Sequence, residues 1–136
     1  MSDNNLSLTM VVPGNPVPKG RPRYSKGRVY TPKKTKDYEA RVQVSGFLAR
    51  LKAQRKTITK EKVVMKMMFC VRDTGRIPDL DNLIKSISDG LNGVWYKDDK
   101  QITIIHAIRE TVPKGDEYAG VHMQIYKEPE ETDDTQ

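Results

Sequence analysis

The stretch from Pro78 to Ile102 limits how this chain can fold more than any other. Asp79 and Asp81 open it, Asp98 and Asp99 lie near its end, and an apolar pattern runs between them. Leu80, Ile84, Ile87 and Leu91 recur at three- and four-residue spacing, the period of one buried helical face. Pro78 with an aspartate before the run, and Gly90 with Asn92-Gly93 after it, are helix start and stop signals. The fold must therefore accommodate a helix with carboxylates at its start and two more just past its end.

Four carboxylates close to an apolar pattern repel one another unless a cation lies between them. Hard divalent ions such as Mg²⁺ take oxygen ligands, usually one or two carboxylates together with phosphate oxygens. Asp79 and Asp81 are two apart, so where extended chain enters a helix both side chains point the same way. Lys85 lies one turn beyond Asp81 and can reach the same cluster. An acidic helix cap with an ordinary i,i+4 ion pair is the plainer account. It explains one aspartate and Lys85 but leaves the second aspartate and the Asp98–Asp99 pair without a role. The pattern therefore points to metal-dependent chemistry on a phosphodiester.

With 136 residues the chain has room for one domain with a real core. No apolar run approaches the length of a membrane span and no signal-peptide pattern opens the chain, so the expected compartment is the cytoplasm. The single cysteine, Cys70, excludes an intrachain disulfide and a cysteine zinc cluster, and its apolar surroundings predict a small core residue. Net charge is +6, and the tail hides part of it. Glu128, Glu130, Glu131, Asp133 and Asp134 bring five negative charges, so residues 1–127 alone carry +11. Such a body favours a polyanionic partner, of which nucleic acid is the usual one.

The basic residues are concentrated near the start. Lys19, Arg21, Arg23, Lys26, Arg28, Lys33, Lys34 and Lys36 occur with no acidic residue among them. Tyr24 and Tyr30 flank Ser25-Lys26-Gly27, which predicts a hairpin turn. Cations interleaved with tyrosines on a hairpin suit phosphate contacts with base or sugar stacking, which makes Lys19, Arg21, Arg23, Lys26, Arg28, Lys33 and Lys34 candidate DNA-binding residues. A solvated loop with its tyrosines tucked beneath it is the alternative, though so many like charges repel without a partner.

Elsewhere the pattern is regular. Leu6, Leu8, Met10 and Val12 alternate as a strand. Thr31-Pro32 can cap and start a helix to about Gln54, with an apolar stripe of Tyr38, Val42, Ser45-Gly46, Leu48-Ala49 and Leu51. Val63–Val71 alternates as a strand whose methionines fill the core. Ile102 to Ile108 and Val121 to Ile125 form two more strands, joined by a loop at Pro113–Asp116. His106 and His122 sit singly in these strands and are expected to be structural. The order of strand, basic hairpin, helix, strand, helix, strand, strand predicts an α+β single domain. A mixed β-sheet with two main helices packed on it would span residues 1–127. Residues 128–136 would form an acidic, disordered tail.

Taken together, these residues resemble the RusA family, the Holliday junction resolvases of bacteria and their phages. Pro78, Asp79, Asp81, Asn82 and Lys85 carry P-D-x-D-N-x-x-K. The match continues through Asp89, Leu91 and Asn92 to D-D-x-Q-I at Asp98, Asp99, Gln101 and Ile102. Pro16 to Arg23, P-x-P-K-G-R-P-R, resembles the opening of the phage-type branch. The resemblance covers most of residues 8–125 and implies a RusA-like fold. It also implies a homodimeric, Mg²⁺-dependent endonuclease, with Mn²⁺ as a substitute ion, that nicks opposed strands of a DNA four-way junction symmetrically. Asp79, Asp81 and Asp99 would then be the metal-binding catalytic carboxylates and Lys85 an essential basic partner.

Two other readings make different predictions. A restriction-type P-D…(D/E)-x-K core fits Pro78-Asp79 followed by Asp98-x-Lys100 and makes Lys100 essential in place of Lys85. That core needs its second half on a strand, whereas the sequence places it in a polar turn. A non-catalytic nucleic-acid-binding module would use the basic stretch and leave the aspartates structural.

Overall fold

A computed structural model describes residues 7–55, 58–113 and 117–129. Strand β1 spans Ser7–Pro13, and the short strands β2 (Arg23–Ser25) and β3 (Arg28–Tyr30) form a separate hairpin. Helix α1 (Lys33–Lys52), strand β4 (Val63–Arg72), helix α2 (Leu80–Gly90) and strands β5 (Ile102–Val112) and β6 (Gly120–Lys127) follow. A 3₁₀ turn at Asp99–Gln101 leads into β5. This is an α+β domain with a mixed sheet, as the sequence predicts. The tail expected from residue 128 lies outside the described residues from 130 onward. Within them, the Glu128 backbone N–H still donates to the Lys62 carbonyl at 2.8 Å.

The four-stranded sheet runs β1-β6-β4-β5. β6 pairs antiparallel with both β1 and β4, while β4 and β5 run parallel, with Met67 opposite both Met123 and Ala107. A parallel pair needs a crossover connection. Helix α2 and the turn after it are that crossover, so the topology alone brings the aspartate-rich stretch back over the sheet. Leu8, Met10 and Val12 of β1, Met65, Met67 and Phe69 of β4, and Val121, Met123 and Ile125 of β6 alternate onto one face. Tyr38 and Val42 of α1, Leu83 and Ile87 of α2, and Leu91 at the C-cap of α2 close the core over them. The opposite face is left open, with Val11, Met68, Ile104 and Ile108 exposed.

The helices cross closely because both present glycine at the contact. A Cβ at Gly90 would stand 2.8 Å from Val42 Cγ1, and one at Gly46 would stand 2.6 Å from Leu91 Cδ2. Helix α1 buries Thr35, Tyr38, Val42 and Gly46, one three- to four-residue stripe. Leu48 and Leu51, expected within that stripe, are exposed, because the core touches only one side of this helix. Pro32 precedes α1 in extended conformation, φ −56° and ψ 144°, so the helix begins one residue later than the sequence suggests. The hairpin turns at Lys26 and Gly27, both with positive φ (51° and 77°), the arrangement of a two-residue turn matched to strand twist.

Candidate active site on helix α2 and the turn that follows

Asp79 sits at the N-cap of α2 with φ −65° and ψ 140°, yet its carboxylate makes no capping hydrogen bond. An aspartate there ordinarily accepts from the N–H groups of the first turn. The structural role that would explain Asp79 without chemistry is therefore not the one it plays. Asp81, in the first turn, accepts from the Asn82 N–H at 2.9 Å. From there Asp81, Lys85 and Asp89 follow at four-residue spacing and share one side of the helix, while Leu83, Ile87 and Leu91 are fully buried. The Lys85 ammonium lies 3.5 Å from Asp89 Oδ1. The start of the motif is also tied to the sheet, through Arg109 Nη1 of β5, which donates to the Pro78 carbonyl at 2.8 Å.

The chain after α2 is wound tightly onto the two helices. Trp95 Nε1 donates to the Gly46 carbonyl at 2.9 Å, and the Tyr96 hydroxyl donates to the Ser88 carbonyl at 2.6 Å. Both rings are buried. Burial, and after it the charges of Asp99, Asp89 and Asp98, push the Tyr96 hydroxyl far above its ordinary pKa, so it is a donor at any physiological pH. The next residues form a capping box. Asp98 Oδ1 accepts from the Lys100 N–H at 2.8 Å, and Gln101 Oε1 accepts from the Asp98 N–H at 2.9 Å. Gln101 Nε2 donates to the Thr59 and Glu61 carbonyls at 3.1 and 2.9 Å, which clamps the turn to the chain entering β4.

The two aspartates of this turn differ electrostatically. The Lys100 backbone N–H holds the Asp98 carboxyl below its ordinary pKa. Burial, then the hydrogen bond with Asp98, pushes the Asp99 carboxyl up, against the pull of Lys85. Asp98 thus serves the backbone while Asp99 faces the charges of α2. The Tyr96–Ser88 hydrogen bond holds the turn to the second half of the helix, where Asp99 feels the charges of Lys85 and Asp89. Asp79 and Asp81 stand at the start of that helix. Among the described residues, no three His, Cys, Asp or Glu side chains lie close enough together to hold one ion. The donor chemistry nevertheless fits a hard divalent cation, since every candidate ligand is a carboxylate and Asp79 and Asp81 are exposed. Asp98 and Lys100 occupy a 3₁₀ turn and not a strand, so the restriction-type arrangement does not form.

The basic segment falls into two parts. Arg21 just before the hairpin, Arg23, Lys26 and Arg28 on it, and Lys33 and Lys34 in the first turn of α1 are exposed, with Lys33 Nζ 2.8 Å from Asp37 Oδ2. Tyr24 is 79% exposed, and Tyr30 is exposed as well, so neither ring is tucked beneath the loop. Lys19 is different. Its ammonium lies 2.6 Å from Glu39 Oε2 and 3.1 Å from Asp89 Oδ2. Sequence reasoning gave no role to Glu39, Asp89 or Tyr96. Asp89 entered there only as a residue of the RusA-like motif.

A family model described as Endodeoxyribonuclease RusA matches residues 13–126. The chain belongs to the RusA family. The match includes the basic hairpin, α2 and the Asp98–Asp99 turn, so the site just described lies within it and the chain is an endodeoxyribonuclease of the Holliday junction resolvase family. No curated protein matches the chain. Among solved structures it is similar to the protein Atu1372, of unknown function, from Agrobacterium tumefaciens, at 12% identity and a TM-score of 0.43. That similarity covers 93% of this chain and 78% of the other. No helix among the described residues is long and apolar enough to cross a membrane.

Proposed function

We propose that this RusA-family chain is a Mg²⁺-dependent, structure-selective endodeoxyribonuclease that resolves Holliday junctions by symmetric, paired phosphodiester hydrolysis in DNA recombination and repair. The observation that carries this reading is the Asp81–Lys85–Asp89 row on α2, with the Asp99 turn folded back beside it. Asp79, Asp81 and Asp99 would hold the divalent cation, with Mn²⁺ able to replace Mg²⁺. When bound, the ion supplies Lewis-acid activation and charge neutralisation at the scissile phosphodiester. The Lys85 ammonium lies at a long 3.5 Å from Asp89 and its side chain is 55% exposed, so it can turn toward phosphate oxygens as negative charge develops on them. Arg21, Arg23, Lys26, Arg28, Lys33 and Lys34 fix the duplex arms through phosphates, and Tyr24 offers a ring for stacking.

Paired cuts need two sites, and the open sheet face supplies a means of bringing them together. Val11, Met68, Ile104 and Ile108 are exposed there, and β5 is a sheet edge. Isoleucine and methionine are poor partners for a phosphate backbone, whereas a second copy related by a two-fold axis meets this patch with its own. A homodimer built this way has one catalytic turn in each subunit, matching a two-fold junction. The protein would act wherever the cell keeps its DNA, in bacteria the cytoplasm.

Cleavage of a labelled synthetic four-way junction beside its linear duplex, with Mg²⁺ and with EDTA, tests the reading. Paired, Mg²⁺-dependent nicks confined to the junction are expected. Equal cutting of both substrates would make it a general nuclease, and binding without cutting across several divalent ions would make it a non-catalytic module.

A further inference from the structure

Residues 16–20 are strapped to both helices. The Lys19 backbone N–H donates to the Asn82 carbonyl of α2 at 2.9 Å, and the Gly20 N–H donates to Thr35 Oγ1 of α1 at 3.0 Å. The room at Gly20 is just enough for this, since a Cβ there would stand 2.7 Å from that hydroxyl. The Lys19 side chain repeats the link, reaching Glu39 on α1 and Asp89 on α2. All three of these side chains are mostly buried, at 27%, 21% and 20% exposure. Burial works against the ammonium, but the hydrogen bonds to Glu39 and Asp89 outweigh it and raise its pKa above the ordinary lysine value. The strap is therefore charged, doubly held and turned inward, unlike Arg21 and Arg23, which follow it and are exposed.

We infer that Lys19 is a positioning residue and not a phosphate contact: it fixes the basic hairpin relative to α2, and by taking one oxygen of Asp89 it limits that carboxylate's hold on Lys85. Asp89 stands between two ammonium groups, with Oδ2 facing Lys19 at 3.1 Å and Oδ1 facing Lys85 at the longer 3.5 Å. Without Lys19, the whole charge of Asp89 would bear on Lys85 and draw it back along the helix. The hairpin that holds DNA and the helix that carries Asp81 and Lys85 would also lose the side-chain half of their shared anchor. This inference rests on the nuclease reading above and assigns a new role within it.

The test separates the two ways a lysine can serve a DNA enzyme. Each phosphate contact contributes about 0.9 to the slope of log affinity against log salt concentration. Junction binding by Lys19→Met is expected to keep the wild-type slope, whereas Arg23→Met flattens it. Single-turnover cleavage at saturating junction is expected to fall about ten- to a hundredfold in Lys19→Met, the scale of a small misplacement of reacting groups. Lys19→Arg, which keeps a cation between Glu39 and Asp89, should recover most of it. Glu39→Gln loosens the same anchor from α1 and should lower cleavage at unchanged slope, so the inference stays testable if Lys19→Met folds poorly. A slope reduced by about one in Lys19→Met overturns it, as does unchanged cleavage in both variants. Failure of wild type to cut any junction would instead refute the nuclease reading, and the slopes would still decide whether Lys19 meets phosphate.

Discussion

The Tyr96 hydroxyl and the Ser88 carbonyl, joined by a 2.6 Å hydrogen bond, lock the segment before Asp98–Asp99 onto the second half of α2. It joins two carboxylate-bearing pieces of chain directly, beyond the backbone bonds by which Val94 and Trp95 hold to Leu91. Tyr96→Phe is expected to destabilise the protein by about 1–2 kcal/mol, the value of a buried hydrogen bond whose carbonyl partner remains. Cleavage should suffer more than junction binding, because the hairpin does not depend on this contact. Urea denaturation with binding and single-turnover assays would show it.

Asp81 and Lys85 make the sharpest test of chemistry. Asp81→Asn should bind four-way junctions with near wild-type affinity and cut them at least about a hundredfold more slowly. Lys85→Met should lose cleavage on the scale of about 10²–10³, as when one stabilising charge is removed. Lys100→Met should cut normally, since the contact that shapes the turn is the Lys100 backbone N–H donating to Asp98, which methionine keeps. The opposite ranking of the two lysines would revive the restriction-type core.

Asp99 predicts a pH dependence whose sign follows from its raised pKa. An acid whose pKa is higher folded than unfolded favours folding below the unfolded value, and that contribution is lost as pH rises through the folded one. At neutral pH the wild type bears the repulsion of Asp99 with Asp98 and Asp89, which Asp99→Asn relieves. In EDTA, the variant should therefore melt above wild type at pH 7, with the gap closing toward pH 4. Adding Mg²⁺ should raise the melting temperature of wild type more than that of the variant.

The open sheet face predicts an oligomer that one charge disrupts. Ile108→Asp places a carboxylate at the centre of the exposed patch formed with Met68 and Ile104. Because its side chain is exposed in the single chain, the fold should survive with an unchanged circular dichroism spectrum. Sedimentation should report a dimer for wild type and a monomer for the variant. A dimeric Ile108→Asp would move the interface elsewhere.

Gly46 shows which of two opposing effects governs the helix crossing. Alanine is favoured over glycine by about 1 kcal/mol inside a helix. Here its Cβ would meet Leu91 Cδ2 at 2.6 Å and Val94 Cγ1 at 3.1 Å, with Leu91 fully buried and unable to swing away. Overpacking of this kind costs about 1–3 kcal/mol. Gly46→Ala should therefore lower stability despite its better helix propensity, and thermal melting would show it.

Much was legible in the sequence because it is local. Period-two and period-three-to-four apolar patterns set the strands and both helices, since each needs one face for the core. Ser25-Lys26-Gly27 marked the hairpin turn, and the P-D-x-D-N-x-x-K spacing placed Asp79 at the entry to a helix that carries Asp81 and Lys85. Three things were decided only by the tertiary structure. The parallel pairing of β4 with β5 makes α2 a crossover and brings the Asp99 turn back to α2, where Asp99 feels the charge of Lys85. The packing of α1 across α2 leaves Leu48 exposed at 58%, though the sequence alone places it in the stripe. The meeting of Lys19 with Glu39 and Asp89 spans 20 residues to one partner and crosses four elements, β2, β3, α1 and β4, to the other. No periodicity within a single segment can encode such contacts, because they depend on where distant segments are brought by burial of the core.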